Sequence, residues 1–159
     1  MFKVGDKVVY PMHGAGVIEV IEEREFLGEK RQYYIMRMPI GDMRVMVPTD
    51  STEEVGLRQV MSAEDADKVL DILRSESTKM SNNWNRRYRA NMEKIKSGSA
   101  FEVAEVVRNL IQRDMEKGLS SGEKKMLDSA RQILVSELAL AKDLDEEEAE
   151  NLVDRLAAI

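Results

Sequence analysis

The stretch Val60-Met61-Ser62-Ala63-Glu64-Asp65-Ala66-Asp67-Lys68-Val69-Leu70 divides the chain into two textures. Before it, the turn formers Gly5, Gly14, Gly16, Gly28 and Gly41 and all three prolines (Pro11, Pro39, Pro48) separate short β-rich runs. Lys7–Tyr10, Gly16–Glu23, Gln32–Met38 and Met43–Val47 are the expected strands, and their spacing predicts a small barrel or a strongly bent sheet. After it the apolar period becomes helical. Ser62 with Asp65 has the pattern of a capping box, and Ala66, Val69, Leu70 and Leu73 then line one face.

Further helices follow by the same logic. One is expected from about Asn82 to Lys96, stopping at Gly98. Ser99 with Glu102 is expected to cap the next, whose face is Val103, Val106, Val107, Leu110 and Ile111, ending at Gly118. Ser120 with Glu123 caps another, with Leu127, Ala130, Leu134, Leu138 and Ala141 inward. Asp145 with Glu148 opens a last one that uses Leu152, Val153 and Leu156. The segment 75–81 has no strong period and is expected to be a loop. The fold class is therefore α+β: a β-rich unit over residues 1–55, a border near 50–62, and a compact all-α bundle over 60–159.

Composition restricts function. The chain has 159 residues, is 43% hydrophobic and 34% charged, and carries a net charge of -6. It holds no cysteine, which excludes disulfides and thiolate chemistry. No apolar run approaches the roughly 20 residues that span a bilayer, and Met1-Phe2-Lys3-Val4-Gly5-Asp6 lacks the apolar core of a signal peptide. His13 is the one histidine, so neither a histidine-based triad nor a multi-histidine metal site can be assembled. It reads as a turn residue between Pro11 and Gly14. Gly14-Ala15-Gly16 begins like a dinucleotide loop but lacks the third glycine and a following helix. Asp145-Glu146-Glu147-Glu148 reads as acid in a helix's first turn, where it favours the dipole. No reactive cluster points to an enzyme.

One window contradicts the acidic whole. Residues 80–98 carry Arg86, Arg87, Arg89, Lys94 and Lys96 against Glu93 alone, a local charge of +4, around Trp84 and Tyr88. Cations beside large aromatics suit phosphate backbone and stacked bases. An acidic protein binds free DNA weakly, so something else should deliver it there. Trp84, Tyr88, Met92 and Ile95 also share one helical face, so the residues alone leave Trp84 open between core and exposed wedge. A helix turns about 100° per residue, so the three arginines cannot all face one way. Arg87, one turn from Trp84, is expected to meet the nearest phosphate and Arg86 to pair within the bundle.

The motifs together resemble one family. Val4-Gly5-Asp6, Val8-Val9-Tyr10-Pro11, Gly14 and Gly16 open the match, and Val55-Gly56-Leu57-Arg58 closes its first part. Asn83-Trp84, Arg86-Arg87-Tyr88, Ala90-Asn91, Val103 to Arg108 and Glu116-Lys117-Gly118-Leu119-Ser120 with Gly122-Glu123-Lys124 carry the second. The whole chain resembles the bacterial CarD/CdnL proteins. Its N-terminal motif is also similar to the polymerase-interaction domain of the transcription-repair coupling factor, whose motor motifs are absent here.

The resemblance implies a Tudor-like (SH3-like) β-barrel that docks on the β subunit of bacterial RNA polymerase. It implies a helical domain that reaches promoter DNA at the upstream fork, with Trp84 wedged in the minor groove and Arg86, Arg87 and Arg89 beside it. It places Arg24, Phe26, Arg44 and Met46 at the polymerase contact. Some relatives carry a basic residue where Met46 stands, and Arg44 lies on the same strand face, placed to substitute. No cofactor, metal, membrane or small-molecule substrate is implied, and the location is cytoplasmic, at the nucleoid through polymerase. The competing expectation is a protein-binding adaptor without DNA contact, which should bury Trp84.

Overall fold

The computed structural model describes residues 1–38 and 41–158; Pro39 lies outside them. The first part is a five-stranded antiparallel sheet of β1 (Lys7–Tyr10), β2 (Gly14–Phe26), β3 (Glu29–Met38), β4 (Met43–Pro48) and β5 (Arg58–Gln59), in the order β4-β3-β2-β1-β5. A short helix, α1 (Thr52–Val55), precedes β5. All four expected strands form, with β2 and β3 extending to a hairpin tip at Leu27-Gly28. The fifth strand and α1 were not expected. Since β5 pairs with β1, the sheet continues past the border placed at residue 55.

Val8, Ile18, Tyr34, Met36, Met38 and Val47 form the sheet's core. A bulge between Ile18 and Val20 shifts the β2 register, so different side chains face inward on its two sides. Gly16 is required by close packing: a Cβ there would lie 2.5 Å from the Arg37 carbonyl oxygen.

The second part is all-helical: α2 (Ala63–Arg74), α3 (Trp84–Lys96), α4 (Ala100–Glu116), α5 (Ser121–Lys142) and α6 (Glu146–Ala157). Three of the expected N-cap bonds form. Ser62 Oγ accepts from the Asp65 N–H (3.1 Å), Ser120 Oγ from Glu123 (3.2 Å) and Asp145 Oδ1 from Glu148 (2.8 Å). Ser99 corrects the fourth. It occupies the cap position of α4 without a side-chain cap bond, and its own N–H donates to Ser97 Oγ at 3.2 Å. The tight Ser97-Gly98 reversal thus directs this segment. Leu73, Val106, Leu110, Leu134, Leu138 and Val153 meet in a core without solvent access.

The two parts are packed on each other. The N–H of Ala15 donates to Ser136 Oγ in α5 (2.8 Å), and Lys7 Nζ reaches the Leu140 carbonyl (3.1 Å). Gly14, at φ 108°, leaves only 2.9 Å between an added Cβ and Ser136 Oγ. Arg58 grips α5 as well. Its two Nη atoms donate to the Glu137 carboxylate at 2.7 Å each, while Nε donates to the Gly98 carbonyl at 2.8 Å. Glu137, 2% exposed, also accepts from the Met61 N–H (2.8 Å).

Candidate functional site

Asn83 caps α3 by accepting from the Arg86 N–H at 3.1 Å, which makes Trp84 the first helical residue. A first-turn side chain has no preceding turn to pack on, so Trp84 projects from the bundle and remains 42% exposed. It is nevertheless supported. Its indole stacks on Tyr88 one turn later (centroids 5.0 Å, interplanar angle 20°), and its Nε1–H donates to Ser120 Oγ at 2.9 Å. Gly122 lies beneath the ring, where a Cβ would come within 3.4 Å of Cζ2.

The same Ser120 hydroxyl caps α5 and donates to Glu123 Oε1 at 3.3 Å. Glu123 in turn holds Arg87. Arg87 Nε donates to Oε2 (2.7 Å) and Nη2 to Oε1 (3.0 Å), in a pair where the side chains are 4% and 2% exposed. The Arg87 guanidinium holds the Glu123 carboxyl below its ordinary range, against burial, which pushes it up; Arg87 is itself raised chiefly by that hydrogen bond. Arg87 Nη1 also donates to the Ser81 carbonyl (3.0 Å), tying the preceding loop to the pair.

Two expectations are therefore exchanged. Arg87 is enclosed by Glu123 and cannot reach a phosphate, whereas Arg86, expected to pair inside, is exposed. Arg89 is exposed as well. Arg86 and Arg89 are three residues apart, so they share one side of α3. Trp84 is neither core nor free: it is a ring held in solvent by a pedestal made of Tyr88, Ser120 and the Arg87–Glu123 pair.

The sheet carries the other expected residues. Pairing of Val20 with Ile35, Ile35 with Met46, Arg37 with Arg44 and Arg24 with Arg31 puts Arg24, Phe26, Arg44 and Met46 on one face, given the alternation of strand side chains. Arg24, Phe26 and Met46 line one surface cavity of about 360 Å3 with Tyr33 and Glu25. Phe26 is 70% and Met46 43% exposed. Arg44 does not join that cavity; it pairs with Glu19, the residue at the bulge, at 2.9 Å. β4 forms one edge of the sheet, with no further strand beside it among the described residues.

Tyr33, Ser120, Gly122 and Glu123 were not picked out as site residues by sequence reading. Ser120 and Glu123 left a trace there as a helix cap, and Gly122 as part of the motif that carries the resemblance. Among the described residues no group of acids and histidine could hold a metal ion. No helix among the described residues is long and apolar enough to cross a membrane.

Comparison with known proteins gives the lineage. Residues 2–61 match the family described as the CarD-like/TRCF RID domain, and residues 68–154 match the CarD C-terminal domain. The chain is 45% identical over 148 residues to "Putative transcription factor YdeB" of Bacillus subtilis (strain 168), covering 93% of this chain and 97% of that one. It is also similar to the solution NMR structure of the 72-residue N-terminal domain of Myxococcus xanthus CarD, at 34% identity and TM-score 0.33, over 37% of this chain and 79% of that chain. With both halves matched and a relative aligned along nearly its whole length, the chain belongs to the CarD family of transcription factors and acts in transcription regulation.

Proposed function

We propose that the protein bridges RNA polymerase and promoter DNA, and that it stabilises the open complex by placing Trp84 in the minor groove at the upstream edge of the bubble. The observation that carries this reading is the supported exposure of Trp84. A wedge needs a large ring that is presented to solvent yet cannot swing away, with cations close by for phosphate. An adaptor without DNA contact has no use for such a ring, and would bury it. The sheet unit, read as residues 1–55 with β5 added, is the polymerase-binding part. An exposed β4 edge beside Arg24, Phe26, Met46 and Arg44 suits strand addition to the polymerase β subunit, with backbone bonds giving affinity and these side chains selectivity. Holding the protein at the promoter raises the effective concentration of a weak DNA site, which an acidic chain requires.

Trp84→Ala is expected to shorten the heparin-challenged lifetime of the promoter complex by about tenfold, which corresponds to roughly 1.4 kcal/mol. Polymerase binding should be unchanged, and melting should fall by only a few degrees because the ring is already partly solvated. A sharp loss of helical structure in this variant would make the ring core and end the wedge reading. The single tryptophan also offers a direct readout: acrylamide should quench it in the free protein and less in the promoter complex.

Arg86 and Arg89 have a separable role. Replacing both with Gln should weaken the promoter effect and flatten its dependence on salt. Each lost phosphate contact lowers the slope of log affinity against log salt by about 0.9. A salt slope equal to that of the unaltered protein would take both arginines off the DNA.

A further inference from the structure

Between the 75–81 segment and the C-terminal end of α4 lies a cavity of about 250 Å3 that none of the roles above uses. Its wall is built. Asn109, 1% exposed, accepts on Oδ1 from the Thr78 N–H (3.1 Å) and from Arg108 Nε (3.1 Å), and donates from Nδ2 to Thr78 Oγ1 (2.9 Å). Thr78 Oγ1 therefore accepts from Asn109 and keeps its O–H to offer. Lys79, Arg113 and Lys117 line the cavity against one acid, Glu116. None of the three cations takes part in an ion pair among the described residues.

Beside this wall, Arg113 Nε and Arg108 Nη2 are enclosed with no acceptor among the described residues. Enclosed charged donors without partners are rare and unfavourable in folded proteins. In a chain of net charge -6, so many unpaired cations in one place call for an anion.

We propose that this cavity is a site for a phosphate group. The Lys79 and Lys117 ammonium groups, the Arg113 guanidinium and the Thr78 O–H make the bonds, and the buried Arg108 beside the wall supplies field. The volume is below the roughly 300–1,000 Å3 of sites for whole small molecules, and no aromatic ring lines it to stack a base. The fit is one or two phosphate groups. They could belong to a DNA strand, because Asn82, which also lines the cavity, is two residues from Trp84, or to a free phosphate compound. Neither source needs polymerase, so the site can be tested apart from the bridging role.

The test is calorimetric titration of the full chain with inorganic pyrophosphate, at matched ionic strength, with and without a short forked duplex. Saturable binding of one pyrophosphate is expected. Lys117→Gln and Arg113→Gln should each weaken it about tenfold, the loss of one charged hydrogen bond. Lys68→Gln, at an exposed position of α2 that does not line the cavity, should leave it unchanged. Lys117 is exposed, so its variant stays folded even if Arg113→Gln does not. Displacement of pyrophosphate by the duplex assigns the site to backbone phosphate, and simultaneous binding assigns it to a free anion. Absence of saturable binding, or equal weakening by Lys68→Gln, overturns the proposal.

Discussion

Glu123→Ala is expected to cost about 3–5 kcal/mol of stability, the usual penalty for stranding one partner of a buried ion pair. Arg87 cannot escape by losing its proton, because a guanidinium stays charged throughout the accessible pH range. At 4% exposure it cannot be rehydrated without opening the α3–α5 contact, and the neutral carbonyls of Ser81 (3.0 Å) and Asn82 (3.4 Å) do not balance its charge. In a domain of about 100 residues each kcal/mol moves the melting point by about 4–8 °C, so a fall of at least ~12 °C is expected in a thermal melt. The double variant Arg87→Met with Glu123→Leu should recover most of it, since apolar replacements of buried pairs are often neutral. A drop of under ~1 kcal/mol in the single variant would show that the pair is not enclosed in solution.

The pH dependence follows with a definite sign. The folded-state carboxyl of Glu123 sits below its ordinary value because Arg87 bonds its charged form. Its contribution is complete above the unfolded value of about 4.3 and is lost as pH falls through the lower folded value. The stability difference between the unaltered protein and Glu123→Ala should therefore be constant near neutrality and shrink only in acid.

Arg58→Ala is expected to have the second large effect, again about 3–5 kcal/mol, because it strands a Glu137 carboxylate that is 2% exposed and then has only the Met61 N–H. Its consequence is different in kind. Arg58 belongs to β5 and Glu137 to α5, so the variant loosens the sheet from the bundle while leaving each core intact. On the bridging reading, polymerase capture by the sheet should persist while the lengthening of promoter lifetimes disappears. Arg58→Lys should rescue only in part, since one ammonium cannot make the paired bonds to Glu137 and the bond to Gly98 together. Promoter lifetimes that survive in Arg58→Ala would mean that the two halves need no fixed relation.

Local signals made much of this molecule readable from its residues. Helix periods and caps are encoded within four residues, so α2, α5 and α6 begin where Ser62, Ser120 and Asp145 place them. Pairings distant in sequence were not readable. Nothing near Arg87 reveals that Glu123, 36 positions later, will claim it, and Arg86 and Arg87 look alike until α5 is folded against α3. β5 has two residues and exists only through its register with β1. Trp84 was ambiguous for a physical reason. The stripe from Trp84 to Ile95 is real, but at the first turn of α3 it is the Arg87 side that α5 covers, so burial along the stripe fades from Ile95 at 3% to Trp84 at 42%.

The contact of Gly14 and Ala15 with Ser136 has a last consequence. If that contact holds the sheet fixed on α5, the span from Met46 to Trp84 is a set length, and the molecule works as a caliper. A caliper measures and does not read. If one jaw rests on polymerase, the other falls at a constant distance upstream whatever bases lie there. Promoters would then be sorted by where their melted edge comes to rest relative to the enzyme, and inserting or deleting a base pair there would matter more than exchanging one.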